Sequence, residues 1–301
     1  MTQHEKHQNA LDTFIRQVQH DSNVIALLLV GSLSYGTVWK RSDIDLVVIV
    51  RDGAIPKSIN YCVDEGDVEF HIDFQEVSRF KSYMQKNRTG SQRHGFYGKG
   101  TMVFSKDNSL SEFFDNIKTL GKDDAALAAL DTVSWVLSET YRAEKWITMF
   151  DDDHALLYAQ RFIQRACTAV ADMILIVNCE IPTRESILRA SELEPDLMYE
   201  LYVKPSTTRL SSNDIRHVLN VIDNFMSTSM DFWSKPVLNF LSDGEARKIS
   251  EITRHFGAGD SFAFNFMAEK GLIERFTMPA KVFKNSKLTI EEVAYICPVN
   301  L

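Results

Sequence analysis

The stretch of residues 24–50 constrains the fold more than any other part of this sequence, because it holds two apolar runs close together. A continuous apolar run of this length is typical of a strand that is covered on both faces. The segment between the two runs opens with Gly31 and Ser32, and the second run begins with Asp43 and Asp45. Because side chains alternate along a strand, both carboxylates leave the same face. The pattern predicts two neighbouring buried strands, a small-residue turn and an acidic pair.

Composition indicates a soluble protein with two or three domains, since 45 % of the 301 residues are hydrophobic and 25 % are charged. A net charge of −8 excludes a uniformly basic nucleic-acid binder, although a local basic patch remains open. The four cysteines are widely spaced and form no CxxC pair, which is typical of free thiols in a reducing compartment. The N-terminus is polar, and no apolar stretch approaches the roughly 20 residues of a membrane span. We expect a cytoplasmic protein with no membrane partner.

The first 121 residues carry the strand signals, so we predict a first domain over 1–121 with a mixed sheet and flanking helices. Residues 59–63 and 68–74 are predicted to form a hairpin, with Glu69, His71, Asp73 and Gln75 sharing its polar face. The basic, glycine-rich stretch 86–99 is predicted to be a mobile loop. The remaining elements of this domain are predicted as helices at 5–20, 77–87 and 110–120 and a strand at 101–104.

Strand signals then vanish, and four long helical patterns predict an antiparallel bundle over 122–234. These helices are expected at 124–149, 154–178, 184–203 and 212–233. Three short helices and a hairpin that begins at the letters GLIER predict a winged-helix-like domain over 235–301. Its helices are expected at 236–241, 244–256 and 260–270. The fold class predicted for the whole chain is therefore α+β.

Three carboxylates carry the predicted chemistry. Asp73 lies near the end of the polar face of a strand, where it can complete a trio with Asp43 and Asp45. Three converging carboxylates repel each other, and a bound divalent cation relieves that repulsion. Hard oxygen ligands of this kind favour Mg²⁺, which commonly bridges substrate phosphates. Two such ions, held by Asp43, Asp45 and Asp73, can polarise an α-phosphate and lower the pKa of an attacking hydroxyl.

The turn between the two strands fits the phosphate end of such a reaction. Gly31 lets the backbone approach a triphosphate closely, and amide groups with the Ser32 hydroxyl can bind its anionic oxygens. Lys40 and Arg41 stand just before the second strand and can meet the β- or γ-phosphate. Ser42 can either contact the ligand or hold the turn.

The stretch GSLSYGTVWKRSDIDLVVIV resembles the signature of nucleotidyltransferases related to polymerase β. Among these it looks like the bacterial minimal nucleotidyltransferases and the antibiotic nucleotidyltransferases that act on aminoglycosides or lincosamides. The resemblance implies a sheet core, a nucleoside triphosphate donor, Mg²⁺ and release of pyrophosphate. It assigns Gly31 and Ser32 to the donor-phosphate motif, Asp43 and Asp45 to the metal-binding pair, and Asp73 or Glu69 to the third carboxylate.

Several other polar residues have two alternative interpretations, one functional and one structural. His71 is interpreted as a polar-face or core histidine rather than a ligand, and Tyr35 and Trp39 as packing residues that could instead stack on a base. Arg88, Arg93 and Lys99 are interpreted either as solvated loop residues or as ligands of the triphosphate. Glu139 or Glu144 could act as the general base, and Arg161 and Arg165 could contact phosphate or form salt bridges within the bundle.

Three functions are compatible with these features. In the first, the protein transfers AMP from ATP, or another nucleotide from its triphosphate, to a hydroxyl of a small molecule. In the second, the same chemistry modifies a protein. In the third, the chain is a DNA-binding regulator that senses nucleotide. The helix at 260–270 has one lysine and no arginine, which disfavours DNA binding, although Lys281, Lys284 and Lys287 follow it. An oligomer remains possible.

Overall fold

The structure is a computed structural model that describes residues 2–36, 38–55, 58–65, 67–87, 90, 92–150, 152–257, 259–283 and 287–298. Arg88 and Lys284, which the sequence singled out, lie outside the described residues. Contacts divide the chain into two compact units, Met1–Leu120 and Gly121–Leu301. The predicted further division of the second unit into a bundle and a winged-helix-like domain stays a prediction.

The first unit is built on a five-stranded mixed sheet with the order β3-β4-β2-β1-β5. Strand β2 is antiparallel to β1 and parallel to β4, whereas β3 and β5 pair with the sheet in the antiparallel sense. The strands are β1 (Val24–Val30), β2 (Ile44–Val50), β3 (Asn60–Glu65), β4 (Val68–Glu76) and β5 (Thr101–Ser105). The helices are α1 (Gln3–Val18), α2 (Val77–Asn87), α3 (Gln92–Gly98) and α4 (Asn108–Ile117).

The sheet has a buried core on each face. Alternate residues of β1 and β2, such as Leu27 and Leu46, pack on one side with Leu11 of α1. The intervening residues, such as Leu28 and Val47, pack on the other side with buried aromatic residues of α2 and α4. Burial on both faces explains why the sequence of these two strands is almost continuously apolar.

The second unit is mainly helical, with two long helices at its start. These are α5 (Lys122–Met149) and α6 (Asp153–Val177), and the side chain of Asp152 caps α6 by accepting from the amides of His154 and Ala155 at 2.9 Å each. In the described residues, eight further helices and a π-helical turn follow: α7 (Ser186–Leu193), α8 (Pro195–Met198), the turn Tyr199–Val203, α9 (Lys204–Thr207), α10 (Ser212–Thr228), α11 (Met230–Trp233), α12 (Lys235–Phe240), α13 (Ile249–Phe256) and α14 (Ser261–Glu269).

A second sheet, with the order β6-β8-β7, contains antiparallel pairs only. Its strands are β6 (Arg247–Lys248), β7 (Glu274–Lys281) and β8 (Thr289–Ile296). The α+β class is confirmed, but the assignment of this region as a winged helix stays a prediction. None of the helices in the described part of the chain combines the length and the apolarity that crossing a bilayer requires.

Several predicted elements differ from the structure; the helix predicted at 212–233, for example, is divided at Ser229 into α10 and α11. The stretch 86–99 was predicted as a loop, but Gln92–Gly98 forms α3. The helix predicted at 184–203 is interrupted, because Pro195 cannot continue the hydrogen-bond ladder of α7 and instead begins α8. The helix predicted at 244–256 is preceded by the short strand β6 and begins only at Ile249.

Candidate active site

The turn after β1 places the backbone of Gly31 close to the carboxylate of Asp45. Gly31 has a φ of +72° and precedes a 3-10 turn, Ser32–Tyr35. The amide and the hydroxyl of Ser34 both donate to the carbonyl of Gly31, at 3.1 and 2.7 Å. A Cβ atom on Gly31 would lie 2.1 Å from Oδ2 of Asp45. The positive φ and the lack of space both require glycine here.

The acidic pair lies at the start of β2, beside the same turn. Asp45 is opposite Val30 of β1 and opposite His71 of β4. Asp43 and Asp45 leave the same face, and their side chains are 37 % and 28 % exposed. They therefore remain accessible to a ligand although β2 itself is buried.

His71 lies beside the acidic pair. The sequence did not predict this position, because His71 was interpreted as a polar-face or core histidine. Its Nδ1 atom lies 3.0 Å from Oδ2 of Asp43 and 3.8 Å from Oδ1 of Asp45. Its Nε2 atom lies 2.8 Å from Oε1 of Glu69. One ligand atom from each of Asp43, Asp45 and His71 falls within 4.8 Å of the others. The imidazole thus stands between carboxylates on both of its edges.

Asp73, the predicted third carboxylate, lies one pleat farther along β4. It is opposite Val47, whereas His71 is opposite Asp45. The side chain of Gln75 donates a short hydrogen bond to Asp73 and a second one to the Tyr97 hydroxyl at 3.1 Å. In the described residues Asp73 belongs to no group of three potential ligand atoms within 4.8 Å of one another. Its role as a metal ligand stays a prediction.

A cavity of about 470 Å³ opens beside these residues. Burial raises the pKa of Tyr97, which lies in its wall. The pKa of the Cys62 thiol is also raised, mainly by a hydrogen bond to Glu69. The polar residues that line the cavity are Asp45, Asn60, Tyr61, Cys62, His71, Asp73 and Tyr97.

Ser42 holds the connector between the strands. Its hydroxyl accepts from the amide of Trp39 at 3.1 Å, and its own amide donates to the Trp39 carbonyl at 3.0 Å. Nε2 of the buried His7 lies 2.8 Å from the Ser42 carbonyl and fixes the connector to α1. Sequence reasoning missed His7, because nothing local distinguishes it from the other polar residues of α1.

The basic residues of the connector are on the surface. Lys40 and Arg41 are exposed, and the guanidinium of Arg41 lies 5.9 Å from the ring centroid of Trp39. Trp39 is 58 % exposed, so it is not a packing residue. Arg93 and Lys99 are also exposed, and contact of any of these four cations with phosphate stays a prediction.

The two carboxylates named as possible bases lie in different settings within the second unit. Glu139 is 3 % exposed, and its Oε1 atom accepts from Arg142 at 2.8 Å and from Arg165 at 3.0 Å. This pairing assigns Arg165 to a salt bridge between α5 and α6. Glu144 lines a cavity of about 330 Å³. Burial, with the charge of Glu269 and Glu144, raises the pKa of Tyr141 in that cavity to about 12.

Part of the first unit matches a known protein family. Residues 11–100 match the family model of the nucleotidyltransferase domain. A nucleotidyltransferase-like protein from Exiguobacterium sibiricum 255-15 has a similar fold, with a TM-score of 0.62 and 13 % identity over 96 % of this chain and 99 % of that chain. No curated protein matches the chain.

A spectinomycin adenyltransferase from Enterococcus faecialis, solved with ATP and spectinomycin, aligns with 72 % of this chain and 98 % of its own. Its TM-score of 0.32 and its identity of 12 % are too low to indicate a shared overall fold. The family match covers the glycine turn, the acidic pair and His71, which are the residues that the fold brings together. Residues 11–100 are therefore a nucleotidyltransferase domain, and the chain is an enzyme of the transferase class.

Proposed function

We propose that this chain transfers a nucleoside monophosphate, most often AMP from ATP, to a hydroxyl of a small-molecule acceptor and releases pyrophosphate. The observation that carries the proposal is the close approach of the Gly31 backbone to Asp45. This approach places a turn that can bind phosphate directly against a carboxylate that can bind the metal. The substrate phosphates and the metal would thus meet at one end of the sheet.

The residues present fit Mg²⁺. Asp43 and Asp45 offer hard oxygen donors on one face of β2, and both are partly exposed. Asp73 lines the same cavity as Asp45 and is proposed to complete the set for a second ion. Bound Mg²⁺ would polarise the α-phosphate and make an attacking hydroxyl more acidic.

The chain's own groups bind and orient the donor. The Ser32 hydroxyl and the amides at the start of the 3-10 turn are proposed to bind phosphate oxygens. Lys40 and Arg41 are proposed to bind the β- and γ-phosphates, since both are exposed. Ser42 already holds its own turn, so its proposed contribution is to fix the connector that carries the two cations.

The features of helix α14 in the second unit support a small acceptor rather than DNA. Ala263, Phe264, Phe266 and Met267 are buried on α14, so this helix uses its apolar side for its own core. Lys270, which directly follows α14, forms an ion pair with Asp223 at 2.9 Å. Phosphate contacts dominate DNA affinity, and α14 therefore has little to offer a duplex. Transfer to a protein acceptor is the alternative that the experiment below distinguishes.

The test is incubation with ATP labelled in the α-phosphate, Mg²⁺ and either a panel of small hydroxyl-bearing acceptors or a cell extract. The intact protein is expected to label a small molecule and to release pyrophosphate. The Asp43→Asn variant should lose at least a hundredfold in rate, because a metal ligand supplies several kcal/mol of charge stabilisation. Circular dichroism should show an unchanged fold.

Asp115→Asn is the matched control, since Asp115 is an exposed carboxylate of α4 in the same unit. It should retain full activity. Equal labelling by the Asp43→Asn variant would refute the assigned site. Label found only in protein bands would replace the small acceptor by a protein.

A further inference from the structure

Three side chains that can bind a metal ion lie close together on strands β3 and β4 of the first sheet. None of them belongs to the acidic pair. Cys62 of β3 is directly opposite His71 of β4, and Glu69 is on the same face two residues before His71. One donor atom from each of these residues lies within 4.8 Å of the other two. Nε2 of His71 is 2.8 Å from Oε1 of Glu69, and the Cys62 thiol is hydrogen-bonded to Glu69.

The donor set is chemically different from that of the acidic pair. Sulfur, imidazole nitrogen and one carboxylate oxygen are the ligands that Zn²⁺ takes in proteins, usually four in a tetrahedron. Soft thiolate donors disfavour Mg²⁺ and select thiophilic ions. Three protein ligands leave the fourth position open to water or another ligand.

The second ring nitrogen of His71, Nδ1, has the kind of partner that is usual for a metal-binding histidine. A histidine that binds a metal through one nitrogen almost always donates its other ring N–H to a carboxylate or carbonyl, which fixes its orientation. Nδ1 of His71 lies 3.0 Å from Oδ2 of Asp43. This leaves Nε2 directed toward Glu69, and Cys62 offers its sulfur in the same group of donor atoms.

We propose that Cys62, Glu69 and His71 form a binding site for a thiophilic divalent cation such as Zn²⁺, held by Sγ, a carboxylate oxygen and Nε2, with Asp43 orienting the imidazole. The thiol proton is released to solvent when the thiolate coordinates the ion. The three residues of this site are different from the proposed Mg²⁺ ligands, although His71 also contacts one of those ligands, Asp43.

Little rearrangement is required. Metal–ligand bonds of about 2.0–2.3 Å place the ligands of a tetrahedron roughly 3.3–3.8 Å apart. The three donor atoms are already within 4.8 Å of one another. The side chains of Glu69 and His71 are 54 % and 47 % exposed, and Cys62 is exposed, so rotation of side chains is enough to close the remaining distance.

The experiment is a titration of the full chain with Co²⁺, a spectroscopic substitute for Zn²⁺, under reducing conditions, in excess Mg²⁺ and without nucleotide. Excess Mg²⁺ occupies oxygen-only sites, so absorption in the near ultraviolet reports charge transfer from a thiolate to Co²⁺. We expect this band to saturate at about one Co²⁺ per chain and to disappear when Zn²⁺ is added.

Cys62→Ser should abolish the band, and Glu69→Gln should weaken Co²⁺ binding by roughly tenfold or more. Cys179→Ser and Cys297→Ser are the matched controls, since both thiols are partly exposed and lie far from this cluster in sequence. They should keep the band. No band in the intact chain, or an equal band in the Cys62→Ser variant, would overturn the proposal. Because no nucleotide is present, either result leaves the proposed transfer reaction to its own test.

Discussion

At the scale of single residues, Gly31 is the position where the fold and the proposed chemistry are most closely linked. A side chain there faces two obstacles, namely a φ of +72° and a carboxylate oxygen 2.1 Å from the place of its Cβ. We expect Gly31→Ala to lose about 1–2 kcal/mol of stability from the backbone conformation alone. It should also lose at least tenfold in turnover, because Asp45 has to move. Urea unfolding and pyrophosphate release would measure the two effects.

Gly53→Ala separates these effects. Gly53 has a φ of +82°, but no atom of the described part of the chain lies within 4 Å of the position of its Cβ. This variant should show a similar loss of stability with an unchanged turnover. If both variants lost turnover equally, backbone strain would explain the result and the close approach to Asp45 would not matter.

The acidic pair and the glycine turn were predictable at this scale because they are near each other in the sequence. Gly31, Ser32, Asp43 and Asp45 flank one connector, and the alternation of a strand fixes the face of both carboxylates. The place of His71 was not predictable in the same way. It depends on the register in which β4 lies parallel to β2, and a shift by one residue would direct His71 to the opposite face.

At the scale of elements, strongly periodic segments were predictable and packing-dependent ones were not. The strands β1 and β2 and the long helices α5 and α6 follow from their apolar patterns. The helix α3 contains two glycines, so its sequence favours a loop. Tertiary packing overrides this preference, since His94 and Tyr97 are buried and Nε2 of His94 lies 2.6 Å from the Ile117 carbonyl.

The packing of α6 against α7 gives a prediction about pH. Burial raises the pKa of Asp172 on α6 to about 6, and a hydrogen bond from Ser186 on α7 offsets only part of this effect. Among the described residues, Oδ1 of Asp172 has no hydrogen-bond partner. The folded state therefore holds this proton more tightly than the unfolded state, whose pKa is near 3.8. The free energy of unfolding should fall as the pH rises from about 4 to about 6 and then level off.

Asp172→Asn removes the charge and keeps the shape. We expect it to raise the free energy of unfolding by about 1–2 kcal/mol at pH 8 and to change it little at about pH 3, where Asp172 is largely protonated in both states. Urea unfolding at the two pH values measures the difference. Asp196→Asn, at an exposed position on α8, is the control and should shift stability equally at both. A gain for Asp172→Asn that is the same at both pH values would contradict the assigned cause.

At the scale of the whole molecule, the similarity to the Exiguobacterium protein extends over both compact units. It covers 96 % of this chain, whereas the match to the nucleotidyltransferase domain ends at residue 100. The helical unit is thus part of the shared fold. The glycine turn and the three predicted carboxylates all lie in the first unit, so donor binding and acceptor binding can be tested separately.

We predict that residues 1–120 fold alone and bind ATP with Mg²⁺ but do not label an acceptor. The first unit has a buried core on both faces of its sheet, which a fragment would retain. A ligand at a hundred times its dissociation constant adds about 2.7 kcal/mol to the stability of the state that binds it. ATP with Mg²⁺ should therefore raise the Tm of the 1–120 fragment by several degrees, and Asp43→Asn should remove this shift. The 121–301 fragment is the control and should show no shift with ATP. A shift confined to the 121–301 fragment would place the nucleotide in the helical unit and contradict the site at Gly31 and Asp45.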